Sequence, residues 1–311
     1  MSIPPAEPDT GLKGEWDELP TEMKFEVIKY LDIKSRGNFR RCSEYVDRLV
    51  NSVPIRMSSL VIIHDSRTND IRLSISETLD KTYYSIFKKL DSRVVGSVKE
   101  RYMQNDLISR VHLGNISHLQ AAVSEFNAIL SIPNISFQYV CINAGPDFQT
   151  DFNGEIKGDV ITLGGNVRLL SKFAQNATNL SLFSEYTVKE QICATPQMKT
   201  ARNIYMDLPN QNCDDYILEY EADRIEFRQT PISNNKINLY LKKLLASSSK
   251  SLRLVFKATS MTDIDEIARD FEICKRISGK NVILKLNGGK KLNLSIKNVT
   301  GSDSMIIAEL K

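Results

Sequence analysis

Close to the start of the chain, apolar residues return at every fourth position, at Leu19, Met23, Val27 and Leu31, and Ile28 widens the stripe. That spacing puts them on one face of a short helix. Pro20 stands where a first helical residue loses nothing by lacking an N–H, and Glu22 brings negative charge to the first turn, where the helix dipole favours it. A second short helix is expected over Ser35 to Cys42, with Phe39 and Cys42 facing inward, and a third over Glu44 to Asn51, with Val46, Leu49 and Val50 apolar. Pro54 ends it, because the residue before a proline is driven out of the helical region. Three short helices in about 40 residues bury too little to stand alone, so the missing cover has to come from the rest of the chain or from a partner.

Beyond Pro54 the period shortens to two. The run Ser59-Leu60-Val61-Ile62-Ile63-His64 and the alternating Ile71-Arg72-Leu73-Ser74-Ile75 flank a polar stretch from Asp65 to Asp70, which predicts a hairpin. Thr82 to Asp106 is aromatic and basic by turns and has no clear period. From Val111 onward, short β-rich runs alternate with amphipathic helical patterns, as in β–α units and unlike a sandwich. Strands are expected around His112, Val140, Ile161, Leu182, Tyr205, Glu226, Leu254 and Leu284, at a spacing of roughly 20 to 30 residues that suits a leucine-rich-repeat-like solenoid. The fixed Asn or Cys of a regular repeat is absent, so the predicted solenoid is irregular, and a compact α/β fold is the alternative.

Between these strands the helical signals are strong. Ser117-x-x-Gln120 forms a capping box ahead of Leu119, Ala122, Val123, Phe126, Ile129 and Leu130. Thr187-x-x-Glu190 is a second box-like start. Ile237, Tyr240, Leu241, Leu244 and Leu245 make a third stripe, and Ile264, Ile267, Ala268, Phe271 and Cys274 a fourth. Runs at Lys291 to Lys297 and Ser304 to Leu310 read as a terminal meander able to cap a sheet edge. The organisation predicted is therefore mixed, α+β or α/β: a flexible tail (1–13), a helical domain (14–55), a β-rich linker (56–105) and a repeat-like α/β recognition domain (106–311).

Charge adds little: 41 basic against 38 acidic residues, spread through the chain, set up no single-sign field to draw it to nucleic acid or anionic lipid. The first residues carry no apolar run of the signal-peptide type, and no stretch approaches the roughly 18 to 20 apolar residues of a membrane span, so a cytoplasmic or nuclear protein is expected. The five scattered cysteines are expected to be reduced and buried. His64, His112 and His118 lack partners at zinc spacing, and the glycine pairs at Gly164 and Gly288 lack the rest of a phosphate-binding loop and read as turns. Asp214-Asp215 suits a helix start better than acid–base work. No catalytic group, metal or cofactor is expected.

One motif is specific. Leu19-Pro20-x-Glu22, followed by Val27-Ile28-x-Tyr30-Leu31-Asp32 and an arginine-rich second helix ending in Cys42-Ser43, resembles the F-box over roughly residues 14 to 53. It departs from the common pattern at Gly37, where leucine is usual, and at Val46, where tryptophan is frequent. The resemblance implies helices that dock on a Skp-type adaptor, itself joined to a cullin scaffold, with Leu19, Pro20, Val27, Ile28 and Leu31 against the adaptor and Leu49 closing the far end. The sweep from Trp16 to "CSEYVDRLVNSVP" and into β-rich sequence also resembles nematode F-box proteins with an FTH-type domain. Such a protein is a non-catalytic substrate receptor of a ubiquitin ligase. Its target would be held on the stacked strands, where Tyr139, Tyr205, Arg224, Glu226, Arg228 and Arg253 are the candidate contacts. The alternatives are an interaction module that delivers no substrate and an unrecognised α/β enzyme.

Overall fold

A computed structural model describes residues 13–78, 80–90, 97–184, 188, 191–246, 252–286, 290–300 and 303–310. Helices α1 (Lys13–Glu18), α2 (Thr21–Tyr30), α3 (Ile33–Phe39) and α4 (Glu44–Ser52) come first. A five-strand meander follows: β1 (Ile55–Asp65), β2 (Asp70–Thr78), β3 (Lys81–Lys89), β4 (Ser97–Met103) and β5 (Asp106–His112). The chain then continues through α5 (His118–Leu130), β6 (Ile135–Ala144), β7 (Gly158–Gly165), β8 (Asn179–Phe183), α6 (Pro196–Thr200), β9 (Asn203–Asp207), β10 (Arg224–Pro231), α7 (Asn234–Ala246) and β11 (Arg253–Lys257). It closes with α8 (Ile264–Ala268), β12 (Glu272–Ser278), β13 (Asn281–Lys285), β14 (Lys291–Thr300) and β15 (Asp303–Leu310).

All 15 strands belong to one sheet, in the order β12-β13-β14-β15-β11-β10-β9-β8-β7-β6-β1-β2-β3-β4-β5. Strands β6 to β11 lie side by side in chain order and parallel, as does the β1–β6 pair. The strands on both flanks are antiparallel. Capping starts α5 as expected: Ser117 accepts from the Gln120 N–H while Gln120 reaches back to the Ser117 N–H. Asn69, Asn105 and Asn134 take up positive φ at the turns between elements, the residue type that tolerates it best after glycine. Gly165 does so at the end of β7, where a Cβ would meet the Ala144 carbonyl oxygen at 2.4 Å.

One apolar core runs beneath the sheet from Phe87 on β3 through Met57 and Leu60 on β1 to Leu284 on β13 and Ile306 and Ala308 on β15. Successive strands turn Leu182, Met206, Phe227 and Phe256 inward, and Phe227 packs edge-on against Tyr220 and Phe256 at ring separations of 6.3 and 5.8 Å. The buried tyrosine hydroxyls among these strands are satisfied: Tyr240 donates to the Ala222 carbonyl at 2.7 Å and Tyr220 to the Cys193 carbonyl at 2.9 Å.

Four sequence expectations need correction. Residues 56–105 form no separate linker, because β1 pairs with β6 over Ile55–Ile63 and its residues share the main core. The fourth helical stripe stops at Ala268; the chain turns and runs out as β12, leaving Cys274 exposed on a strand. Cysteines 193 and 213, buried on adjoining loops with Cα atoms 5.2 Å apart, form a disulfide, and Cys42 is exposed. Asp214 starts no α-helix: its carboxylate accepts from the Ser233 N–H at 2.7 Å and the Ser233 hydroxyl at 3.0 Å, tying its loop to the entrance of α7. The expected helix start at Thr187–Glu190, the glycine pair at Gly288 and most of the N-terminal tail lie outside the described residues.

The inward aromatics set the stability of the parallel strands. Phe227→Ala is expected to cost about 3–5 kcal/mol and Tyr240→Phe about 1 kcal/mol through the lost hydrogen bond, both measurable by denaturant unfolding.

Candidate functional site

Two surfaces carry the residues that the sequence marks, and they are built differently. The first is the helical domain. Ile28, Val46, Leu49, Val50 and Val53 form a small core of their own, flanked by Trp16, Phe25 and Phe39, with Trp16 and Phe39 meeting edge to face at 5.0 Å. Lys24 is buried although charged: its stem packs inward, its ammonium lies 5.9 Å from the Trp16 ring centre and 5.4 Å from that of Tyr45, and it donates to the Asp17 carbonyl at 3.1 Å. Cation–π attraction and a carbonyl partner make such burial tolerable.

Arg36 is the joint of this domain. Its guanidinium donates to the Leu31 carbonyl at 3.1 Å, the Val53 carbonyl at 3.2 Å and the Lys29 carbonyl at 3.5 Å. Those oxygens stand at the C-terminal ends of α2 and α4, where carbonyls lack helical partners and the dipole favours a cation. Two further contacts fasten the helices to the sheet: the Ile33 N–H donates to Glu77 at 2.8 Å and Lys81 donates to Asp32 at 3.1 Å. Asp32 also caps α3, accepting from the Ser35 N–H at 2.7 Å. The Ser35 backbone and side chain, and then Lys81, hold the Asp32 carboxyl down at about 2.

With the core so filled, one sector of α2 is left over. Met23, Val27 and Tyr30 are 54, 44 and 87% exposed, Tyr45 on α4 is 43% exposed, and Pro20 is exposed beside them. Leu19 and Leu31 are half-buried at either end. Ile28 and Leu49, expected to face a partner, are 0 and 7% exposed and belong to the domain's own core. Met23, Tyr30 and Tyr45 are not among the adaptor contacts expected from the sequence; an apolar stripe wider than the core can cover is the signal that marks Met23.

Residues 16–56 match the family model of the F-box domain. This segment is an F-box domain. The matched span takes in α2 to α4 and runs into the first residues of β1. Neither a curated protein nor a solved structure matches the chain.

The second surface is the sheet face opposite the helices. All six recognition candidates of the C-terminal region lie on it, since their neighbours Val140, Ile204, Ile225, Phe227 and Leu254 turn to the core. Register aligns Tyr139, Val160, Asn179, Asn203, Arg224 and Arg253 across six strands, and sets Tyr205 beside Glu226 in the next row. A shallow groove of about 320 Å³ runs over Asn179, Asn203, Tyr205, Arg224, Glu226 and Arg253. Much of its polarity is internally matched. Arg228 donates to Glu226 at 2.8 Å and lies 5.2 Å from the Tyr205 ring centre, Arg253 donates to Glu309 at 2.7 Å, and Asn203 donates to Asn179. Arg224 has no ion pair among the described residues. The hydrogen bond to Glu226 raises the Arg228 pKa, and burial raises that of Tyr205. Among the described residues, no three His, Cys, Asp or Glu side chains are grouped to hold a metal, and no helix is long and apolar enough to cross a membrane.

Because the Asp32 pKa is lowered on folding, its contribution is present above roughly pH 4 and is lost as pH falls toward 2. Asp32→Ala is expected to cost about 1 kcal/mol at neutral pH, as loss of an N-cap does. Asp32→Asn keeps a capping oxygen but loses the charge, so its stability difference from the wild type, measured by denaturant unfolding, should shrink between pH 4 and 2.

Proposed function

We propose that the chain is a substrate receptor of a Skp–cullin–F-box ubiquitin ligase, docking on the Skp-type adaptor through the F-box and holding a target protein on the sheet. The observation that carries this is the apolar sector of α2, Met23, Val27 and Tyr30, left open after Ile28 and Leu49 have closed the domain's own core. Buried aromatic and aliphatic anchors dominate most protein interfaces, and Leu19, Pro20 and Leu31 flank this sector as its rim. Arg36, Asp32 and Ile33 fix the docking helices to the sheet, so a target held there is carried at a set distance from the adaptor. Holding a lysine of the target at high effective concentration near the ubiquitin-charged enzyme is then the receptor's contribution, and no catalytic group of its own is needed.

Tyr139, Tyr205, Arg224, Glu226, Arg228 and Arg253 are the residues we assign to target contact. The side-by-side parallel strands beginning at residues 135, 158, 179, 203, 224 and 253 support a repeat-like reading of this region. The likeness to FTH-type nematode receptors belongs to the same proposal, as does work in the cytosol or nucleus.

Co-purification with a Skp-type adaptor tests the proposal. Stoichiometric binding is expected for the wild type and loss of at least about tenfold in affinity for Val27→Asp, with the unfolding midpoint of the variant unchanged because Val27 is outside the core. Absence of binding by a folded wild type would overturn the receptor reading.

A further inference from the structure

Large apolar side chains exposed among the described residues are most numerous at two places, with a lesser pair, Ile273 and Ile277, on β12. One is the F-box; the other is the β4–β5 hairpin, where Met103, Leu107, Ile108 and Val111 all face water. Strand β5 ends the sheet, so one side of its main chain has no neighbouring strand, and it is exposed along its length except for half-buried Ser109. A sheet edge of this kind is a template for another strand unless something blunts it.

The opposite end of the sheet is blunted. Two register shifts interrupt the β12–β13 ladder, and β12 carries three charges, Glu272 paired with Lys285, Arg276 paired with Asp265, and exposed Lys275. Bulges and charges of this kind oppose strand addition. Strand β5 has a single bulge, at Ile108, between the Arg101–Ser109 and Tyr102–Leu107 pairings, and is regular from there to His112.

Each face of β5 offers a different chemistry. On the helix side α5 packs over β2 and β3 and touches only part of β4, leaving a groove of about 820 Å³ whose walls include Leu113, Ile116, Ala128 and Ile129 and whose rim carries Arg101. Lys99, next to it, is taken by Glu125, whereas Arg101 is exposed and has no ion pair among the described residues. Ser109 lies directly opposite Arg101 in register and is too short to screen it. On the other face Leu107 sits opposite Tyr102, which stacks on Tyr84 at 4.8 Å, with the Arg72 guanidinium 5.5 Å from the Tyr84 ring centre.

We propose that β5 is a docking edge that takes an extended segment of a partner protein as an additional strand, the segment alternating acidic and apolar residues. Main-chain pairing supplies affinity in this mode, and alternate side chains supply specificity. A carboxylate opposite Ser109 reaches over the serine to Arg101, and its neighbours on the other face meet Leu107 at the end of the Tyr84–Tyr102 shelf. A second copy of β5 fits poorly, since it offers only Asp106 as an acid and brings its own Arg110 and His112 to a basic edge. This edge shares no residue with the apolar sector of the F-box, so adaptor binding and edge binding stand or fall separately.

The test uses the full chain and two fluorescein-labelled octapeptides, one alternating valine and glutamate, the other valine and lysine. Fluorescence anisotropy should show the wild type preferring the glutamate peptide by about fivefold or more. Arg101→Glu should reverse that preference, a result that loss of folding cannot produce. Ile108→Lys should weaken the glutamate peptide by about fivefold or more, and hydrogen exchange should show new protection over residues 106–112 when that peptide is bound. No binding, equal binding of both peptides by the wild type, or protection confined to other strands would overturn the proposal.

Discussion

The parallel pairing of β1 with β6 is the constraint on which the arrangement of this chain depends. It joins an antiparallel meander to a run of parallel strands and makes one sheet of what would otherwise be two. Chain connectivity then extends its effect to the F-box, because α4 is separated from β1 by Val53 and Pro54 alone. One residue of leeway at each end would let the helices swing. Arg36 removes it by holding the Val53 carbonyl together with the last carbonyls of α2, and the Glu77–Ile33 and Lys81–Asp32 contacts supply a second anchor on the turn between β2 and β3. Two anchors on different strands define an orientation, whereas one defines only a hinge.

Buried charge appears where that orientation is fixed. Lys24 and Arg36 are both nearly inaccessible, and neither has a carboxylate at hydrogen-bond distance among the described residues; carbonyl oxygens and aromatic faces serve instead. Helix C-termini suit this use, since their carbonyls are unpaired and collectively negative. Replacing Arg36 by an apolar residue would leave those carbonyls without donors in a poorly hydrated joint, the costly half of any hydrogen-bond exchange.

What could be read from the sequence follows the same physics. The centres of the strands from β6 to β11 were legible because each turns a β-rich, alternating run to a common core, and the α5 capping box was legible because it is local. The fourth helical stripe was misread because Ile264, Ile267, Ala268, Phe271 and Cys274 keep helical spacing after the helix has ended. Pairing of Glu272–Ser278 with β13 takes over there, and such long-range competition leaves no mark on a local period. The F-box motif was legible, but the roles of its residues were not. The stripe on α2 is broad enough to serve two neighbours, and only packing reveals that Ile28 belongs to the domain's own core while Met23, Val27 and Tyr30 stay outside it. The disulfide between Cys193 and Cys213 was illegible because adjoining loops of a parallel sheet bring together residues 20 apart without any pairing signal in the sequence.

The two ends of the sheet are unequal. The F-box contacts Glu77 on β2 and Lys81 on β3, and the edge at β5 lies two strands beyond β3, about 10 Å at ordinary strand spacing. The groove over β7 to β11 lies on the other side of β1 and β6. There Arg253 is matched by Glu309 and the adjacent Arg228 by Glu226, while Arg224 has no ion pair among the described residues. At the β5 edge, main-chain groups on one side, a row of apolar side chains and Arg101, which has no ion pair among the described residues, are left open. A surface that satisfies itself gains little from a ligand, whereas one left unsatisfied has most to gain.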